Sequence, residues 1–329
     1  MLGPIPVIPV IGGGPAGMSC ALWLRNYALR PIIIEKEHVL GGMAERSPYP
    51  NEGLLGRPNE TARENAKAFA RHIRQVSIET WLDARPYRLQ RGPEGGFQLH
   101  ITVPGTPAPE VLPAAAMVIA TGTRFEGEDW LGRVENARRM AEEGRVHVGA
   151  PWAGDPHSNP GGQVAVIGGG DNAFDVSRML AERGVRVTIV MRGKSAKALP
   201  LMVQRLRKYE SSGMVRVISE RTVQALQYSH SRICVRLNAG EQIEVDDVVL
   251  LLGYRPNTDA SWIEELAIER DARGYIVVDG NMETSCSGTF AVGDVANPRH
   301  PCIATAVGSG TKAAREIASR LYLRSDRLR

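Results

Sequence analysis

Gly12, Gly14 and Gly17 stand at GxGxxG spacing, and Gly168, Gly170 and Ala173 repeat the pattern as GxGxxA later in the chain. Small residues at this spacing suit a backbone that wraps a pyrophosphate. The first makes the tight turn, the second lets phosphate oxygens approach the main chain, and the third lets a helix pack closely. Pro15 and Ala16 complete the first turn, and Asp171 and Asn172 the second. The phosphates would then sit at a helix N-terminus, where free N–H groups and the dipole favour an anion. Glu35 ends the second predicted strand of the first copy, followed by Lys36. A carboxylate there can accept both hydroxyl protons of a ribose. The second copy has Met191 at that place, followed by Arg192, Gly193 and Lys194. An acid would repel a 2′-phosphate, whereas arginine and lysine would bind one, so the second copy suits NADP(H). The plainer alternative is that Arg192 and Lys194 only solvate a loop.

The elements that position these residues follow from apolar patterning. Residues 7–11 read as a buried strand, 18–25 as a helix and 31–34 as a second strand, in the order the glycine fingerprint needs. Pro9 resists this reading, because inside a central strand it removes a ladder hydrogen bond. Gly41, Gly42 and Met43, then Tyr49 to Gly53 with Asn51 among them, form a turn-rich loop. Residues 60–75 carry Ala62, Ala66, Phe69, Ala70 and Ile73 at helical spacing on an Arg-rich, solvated helix. Residues 78–103 suggest an inserted β-meander, broken at Pro93 and Gly95. Residues 117–122 form a strand running through Ala120 into Thr121 and Gly122, where backbone could again approach a cofactor. A charged helix over 134–143 leads into a Pro/Gly-rich linker over 149–162, Asp155, Pro156 and Asn159 included.

The opening unit then returns as strand 164–167, helix 173–183 and strand 185–191, and residues 248–253 echo 117–122. An internal repeat of a nucleotide-binding unit implies two bound nucleotides. A loop past Gly280, the run 289–294 and a helix over 303–323 close the chain.

Composition sets the bounds. With 329 residues, 43% apolar and 23% charged, the chain suits two soluble domains with full cores. The net charge of +4 is compatible with an acidic protein partner, though ordinary surface variation is the plainer account, and no basic run interleaved with aromatics points to nucleic acid. The first apolar run is too short for a signal or a membrane span, which places the protein in the cytoplasm without a membrane partner. Four cysteines without a CxxC and seven dispersed histidines give neither a disulfide scaffold nor a metal centre. Cys20, Cys234 and Cys286 read as structural. The acidic pairs Glu142-Glu143, Asp246-Asp247 and Glu264-Glu265 read as solvated faces.

The run TFAVGDV followed by TAVGSGTKAA resembles the C-terminal flavin signature of the low-molecular-weight thioredoxin reductase family. GGGPAG, VIATG, GGGDNA and LGYRPNT match that family's other motifs in order, over nearly the whole chain. The resemblance implies an α/β fold of two nested dinucleotide-binding (Rossmann-like) domains, with parallel sheets and small β-meanders. It implies FAD in residues 1–124 and 253–329, and the pyridine nucleotide in residues 125–252. Asp294 beside Gly293 would meet the ribitol, with Gly42, Met43, Asn51, Ala120, Thr121, Gly122, Ile303 and Ala304 around the flavin. Gly253 would join the NADP site, and the protein would be a homodimer.

Two departures matter. The family's CxxC, expected a little before the second glycine motif, is missing, because residues 145–162 hold no cysteine. Gly149-Ala150-Pro151-Trp152 stands roughly in its place. The family's HRR signature is Met191-Arg192-Gly193, nearer the YRG of bacillithiol-disulfide-reductase-like members. Cys302 stands near the position of a glutamine that the family often has beside the flavin. Cys302 and Trp152 are thus the catalytic candidates, although a lone cysteine is more often a small core residue. Without a dithiol, electrons would pass from NADPH to FAD and on to a ferredoxin- or flavodoxin-type acceptor. The N-terminus of the 303 helix would hold the charge of reduced flavin. The alternatives are a low-molecular-weight disulfide reductase, or a flavoprotein with a degenerate pyridine site acting as a sensor or binding module.

Overall fold

The computed structural model describes residues 5–92, 96–106, 108–154, 158, 160–296 and 298–326. The expected breaks at Pro93 and Gly95 and the linker residues Asp155, Pro156 and Asn159 lie outside these. The chain opens with β1 (Val7–Ile11), α1 (Pro15–Asn26), β2 (Arg30–Ile34), α2 (Ala62–Gln75) and β3 (Glu79–Trp81). It continues with β4 (Arg85–Arg91), β5 (Phe97–Thr102), β6 (Glu110–Ala114), β7 (Met117–Ile119) and β8 (Thr123–Phe125). Next come α3 (Glu128–Arg133), α4 (Ala137–Glu142), β9 (Val146–Val148), α5 (Pro151–Gly154), β10 (Gln163–Ile167) and α6 (Asp171–Glu182). They are followed by β11 (Arg186–Val190), α7 (Pro200–Ser211), β12 (Val215–Ile218), β13 (Val223–Ser229), β14 (Arg232–Leu237), β15 (Gln242–Val245) and β16 (Asp247–Leu250). The last elements are β17 (Tyr254–Pro256), α8 (Ser261–Glu264), β18 (Thr289–Ala291) and α9 (Ile303–Asp326). Two compact units result, Met1–Arg124 with Arg255–Arg329, and Phe125–Tyr254.

In the first unit a parallel sheet runs in the order β18-β7-β1-β2-β3. Its strands are apolar on both faces because both are covered. Ile8, Val10 and Ile33 pack with Met18, Leu24, Ile317 and other residues of α1, α2 and α9. Ile11, Ile32 and Ile34 pack with Leu89, Phe97 and Leu99 of the antiparallel meander β4-β5-β6. The meander therefore starts at β4. β3, expected within it, instead extends the parallel sheet.

Pro9 finds a physical account here. Gly12 N donates to Ile34 O and Ala120 N to Ile11 O, so alternate residues of β1 face β2 and β7. By that parity Pro9 faces the β7 side, where pairing begins only at Val10 opposite Val118. The missing N–H therefore falls just before the ladder starts. Pro15 opens α1, where a helix leaves its first N–H groups unpaired in any case. A capping box between Thr61 and Glu64 starts α2.

The second unit repeats the layout, with parallel order β12-β11-β10-β16-β9 and an antiparallel meander β13-β14-β15. The helix expected over 134–143 is only Ala137–Glu142, because Val134 is extended and Asn136 is left-handed with φ 61°, and a separate short helix, Glu128–Arg133, precedes it. The Asp246-Asp247 pair is not a solvated face. Asp247 is buried and accepts from Gly161 N at 3.1 Å, while Asp246 accepts from Gln163 N at 2.8 Å. The pair holds the chain as it enters β10.

Candidate functional site

The first glycine turn divides its labour among three residues. Gly12 has φ +114°, and a Cβ there would lie 2.2 Å from Ala120 O, so only glycine fits. A Cβ on Gly17 would lie 2.0 Å from Gly12 O, which lets α1 close on the turn. Gly14 differs, because a Cβ there would meet nothing within 4 Å. The space lies in front of the N-terminus of α1, whose first turn has no side-chain cap. Over it the loop after β2 returns. Gly41 N donates to Gly13 O at 2.9 Å, and a Cβ on Gly42 would stand 3.2 Å from Gly14 Cα.

Glu35 is buried at 5% exposure. Its Oε2 accepts from Gly13 N at 2.6 Å and its Oε1 from Glu37 N at 3.0 Å. A carboxylate has about four lone-pair positions, so two remain for further donors. Lys36, by contrast, is exposed. Gly293 has φ +74°, and its N–H donates to Ser309 Oγ at 2.9 Å. A Cβ on it would crowd Ala16 Cβ at 2.8 Å, so the 293 turn sits against the first turn of α1. Asp294 follows. Burial alone raises its carboxyl above the usual aspartate range, and no hydrogen bond to it is found among the described residues. Open space at Gly14 before an uncapped helix N-terminus and an uncompensated carboxylate beside α1 fit a flavin dinucleotide with its ribitol hydroxyls as donors.

Other candidates take quieter places. Thr121 spends its hydroxyl on Asn257 O at 2.8 Å, and Asn257 donates back to Thr121 O and Gly122 O. Asn257 lies inside the quoted LGYRPNT run, and its role in locking Thr121 and Gly122 was not assigned from sequence. Ile303 packs with Ala44 and Ala66, whereas Ala304 is exposed. Met43 and Asn51 are half-buried in the loop beyond Gly42, and Asn51 N donates to Glu60 O at 2.9 Å. Cys302, also half-buried, precedes α9. Its N–H donates to Thr305 Oγ1 at 3.1 Å, and its Sγ accepts from Thr305 N at 3.5 Å, so the thiol serves as a helix cap.

The second turn has the same build. Gly168 has φ +151°, and a Cβ there would lie 2.2 Å from Leu251 O, while Gly170 again opens on free space. Ala173 is buried at the third position. Two bonds clamp the following loop over the turn. Lys197 N donates to Gly169 O, and Leu199 N donates to Asp171 Oδ1, both at 2.7 Å. Arg192 and Lys194 ride on that loop, exposed and without a side-chain partner among the described residues. Asn172 Nδ2 donates to Tyr254 Oη at 2.7 Å, and Gly253 O accepts from Glu126 N at 2.9 Å. Asp171 as a loop clamp and Tyr254 as the anchor of Asn172 carry no sequence signal. Trp152 stacks on His147 with centroids 3.8 Å apart and an interplanar angle of 9°, and His147 Nε2 lies 3.4 Å from Asp247 Oδ1. Roughly where the family's dithiol would stand there is an aromatic stack, and all four cysteines are free.

Paired parallel sheets, each delivering a glycine turn to a helix, one backed by an acid and one by cations, define an α/β oxidoreductase of the two-nucleotide class. The chain belongs to the pyridine nucleotide-disulphide oxidoreductase family, whose model matches residues 7–310, and it is a flavin-dependent NAD(P)H oxidoreductase. It is 27% identical to the ferredoxin–NADP reductase of Ignicoccus hospitalis, over 95% of this chain and 98% of that one. It is also 27% identical to the ferredoxin–NADP reductase of Limosilactobacillus fermentum, over 96% of this chain and 94% of that one. Among solved structures, the thioredoxin reductase of T. acidophilum matches with a TM-score of 0.82 at 26% identity, covering 96% of this chain and 98% of that chain. The resemblance read from the motifs therefore holds, as does the two-domain dinucleotide-binding fold. No described helix is long and apolar enough to cross a membrane.

Proposed function

We propose that the first unit holds FAD and the second NADP(H), and that electrons pass from NADPH through the flavin to a ferredoxin- or flavodoxin-type acceptor. One observation carries the acceptor: every cysteine is free, and the stretch 145–162 has none. The relatives named ferredoxin–NADP reductase, matched over nearly their full length, support it. Bound flavin supplies two-electron exchange with a nicotinamide and one-electron release to a carrier. Toward it, the main chain at Gly14 takes the pyrophosphate, and Glu35 keeps lone pairs for ribose hydroxyls. Asp294 accepts from a ribitol hydroxyl, which offsets the cost of its burial. The N-terminus of α9 favours negative charge on the reduced ring. In the second unit Gly170 and the start of α6 receive the pyrophosphate, and Arg192 and Lys194 the 2′-phosphate.

The low-molecular-weight disulfide reductase remains a second reading, because Cys302 is partly exposed at the start of α9. Anaerobic dithionite titration separates the two. Direct transfer takes up about two electrons per flavin, and Cys302→Ser keeps its turnover with an artificial acceptor. Uptake of about four electrons, or loss of turnover with flavin retained in Cys302→Ser, would move the assignment to the disulfide reductase.

A further inference from the structure

The helix α2 presents two faces with different tasks. Ala66, Ala70 and Ile73 are buried. Ala66 packs with Ala44 and Ile303, and a Cβ on Gly41 would come within 3.0 Å of Ala66 Cβ. This face therefore backs the loop that overhangs Gly14. Turned by about 100°, Arg63, Lys67, Arg71 and Arg74 follow one another four, four and three residues apart, in one row along the helix.

No ion pair among the described residues neutralises the exposed part of that row. Lys67, Arg71 and Arg74 are exposed and make no ion pair among the described residues. Glu64, the one acid on α2, is spent on the capping box and feels Lys67 only through its charge. Glu60, just before the helix, is held by Arg57 at 2.7 Å. Arg63 keeps its Nε on Glu45 O at 2.9 Å, which fixes the upper end of the row. Like charges at this spacing repel. The helix dipole offsets this for Arg74 in the last turn but not for Lys67 in the middle. In the loop leading into α2, Leu55 stands 99% exposed, an apolar contact point in the segment that feeds the helix.

We propose that this row, with Leu55, is the docking surface for an acidic electron-carrier protein of the ferredoxin type. The inference rests on the function proposed above and adds where that partner sits. Charge complementarity selects the occupant, because a positive row steers and orients a negative partner. A second copy of this chain is disfavoured, since a two-fold axis through the row would bring cation against cation. The location suits the task, because the helix that carries the row also backs the candidate flavin cradle in the same unit.

The test uses the flavin-loaded protein, NADPH and an acidic [2Fe–2S] ferredoxin, with a neutral quinone as the small acceptor. The triple variant Lys67→Glu, Arg71→Glu, Arg74→Glu should keep its flavin and its quinone reduction. Its kcat/KM for ferredoxin should fall about tenfold or more at low ionic strength. The gap to wild type should shrink as salt rises toward roughly 0.3 M. A charge-matched control on the second unit, Arg207→Glu, Lys208→Glu, Arg236→Glu, should behave as wild type. If the triple variant loses flavin, the milder Gln substitutions are read instead, and they should lower the salt dependence in the same direction. Equal ferredoxin rates in the α2 variant and wild type overturn the surface and leave the function standing. Equal losses in the α2 variant and the control also overturn it. A wild-type protein that bleaches with NADPH but never reduces ferredoxin overturns both. A change from dimer to monomer in the α2 variant on gel filtration would make the row a self-interface and overturn the proposal.

Discussion

Gly14 and Gly170 stand apart from the other small residues of the two turns, because a side chain at either has room to exist. Gly14→Val should therefore fold and yet purify without visible flavin absorbance. Gly12→Ala should lose the fold itself, because its Cβ meets backbone at 2.2 Å and φ is +114°. Retained flavin in Gly14→Val would mean that the space is not the phosphate site. Asp294 gives a second residue-level prediction. Burial raises its carboxyl pKa, so the folded apoprotein holds that proton more tightly than the unfolded chain does. Its stability then falls as pH rises from the ordinary carboxylate range through the raised value. Asp294→Asn should accordingly give an apoprotein that melts higher than wild type at neutral pH, while binding flavin more weakly. A lower melting temperature would show that the carboxylate has a stabilising partner. Arg192→Ala should raise KM for NADPH and leave NADH unchanged. Charge-assisted phosphate contacts contribute about 1.5–3 kcal/mol, and exposure puts Arg192 near the lower end, roughly tenfold. Equal effects on both nucleotides would remove Arg192 from the 2′-phosphate.

At the scale of elements, α1 and α9 cross so closely that a Cβ on Gly310 would stand 2.3 Å from Ala16 O and 2.9 Å from Cys20 N. Both contacts are backbone and cannot swing aside. Gly310→Ala should cost about 1–3 kcal/mol, read as a lower melting temperature in the flavin-free protein. An unchanged melting temperature would mean that the helices separate freely. What the sequence disclosed at this scale was local. The run of β1, glycine turn, α1 and β2, with its copy at β10, α6 and β11, is written in short-range apolar spacing and could be read directly. Less local features could not. β3 reads like its neighbours in the meander, and only the partner strand β2 decides which sheet it joins. α7 begins at Pro200, the one start signal it carries, without an acid in its first turn or a side-chain cap to support it. The bonds of Glu35 to Gly13 and Glu37, and of Asp171 to Leu199, join a correctly chosen residue to backbone that no spacing rule names. The half-burial that leaves Asp294 without a partner is likewise a product of tertiary packing.

At the scale of the molecule, the units differ in how the chain supplies them. Phe125–Tyr254 is one continuous stretch, whereas the first unit is made from both ends. β18 pairs with β7, and Ala313, Ala314 and Ile317 of α9 complete the core around Met18, Cys20 and Leu24. On the ribosome, domains generally fold in the order in which they emerge. Here that order is inverted, because the N-terminal sheet must wait for its edge strand and its last helix while the inserted unit already has everything it needs. Chains stalled with residue 285 just outside the exit tunnel should protect 125–254 from protease and leave 5–124 open to cleavage. Full protection of the N-terminal segment at that length would show that β18 and α9 are dispensable to it. If the first unit holds flavin as proposed, its capture waits until β18 and α9 have left the tunnel, so the inserted unit is folded before its neighbour can bind anything.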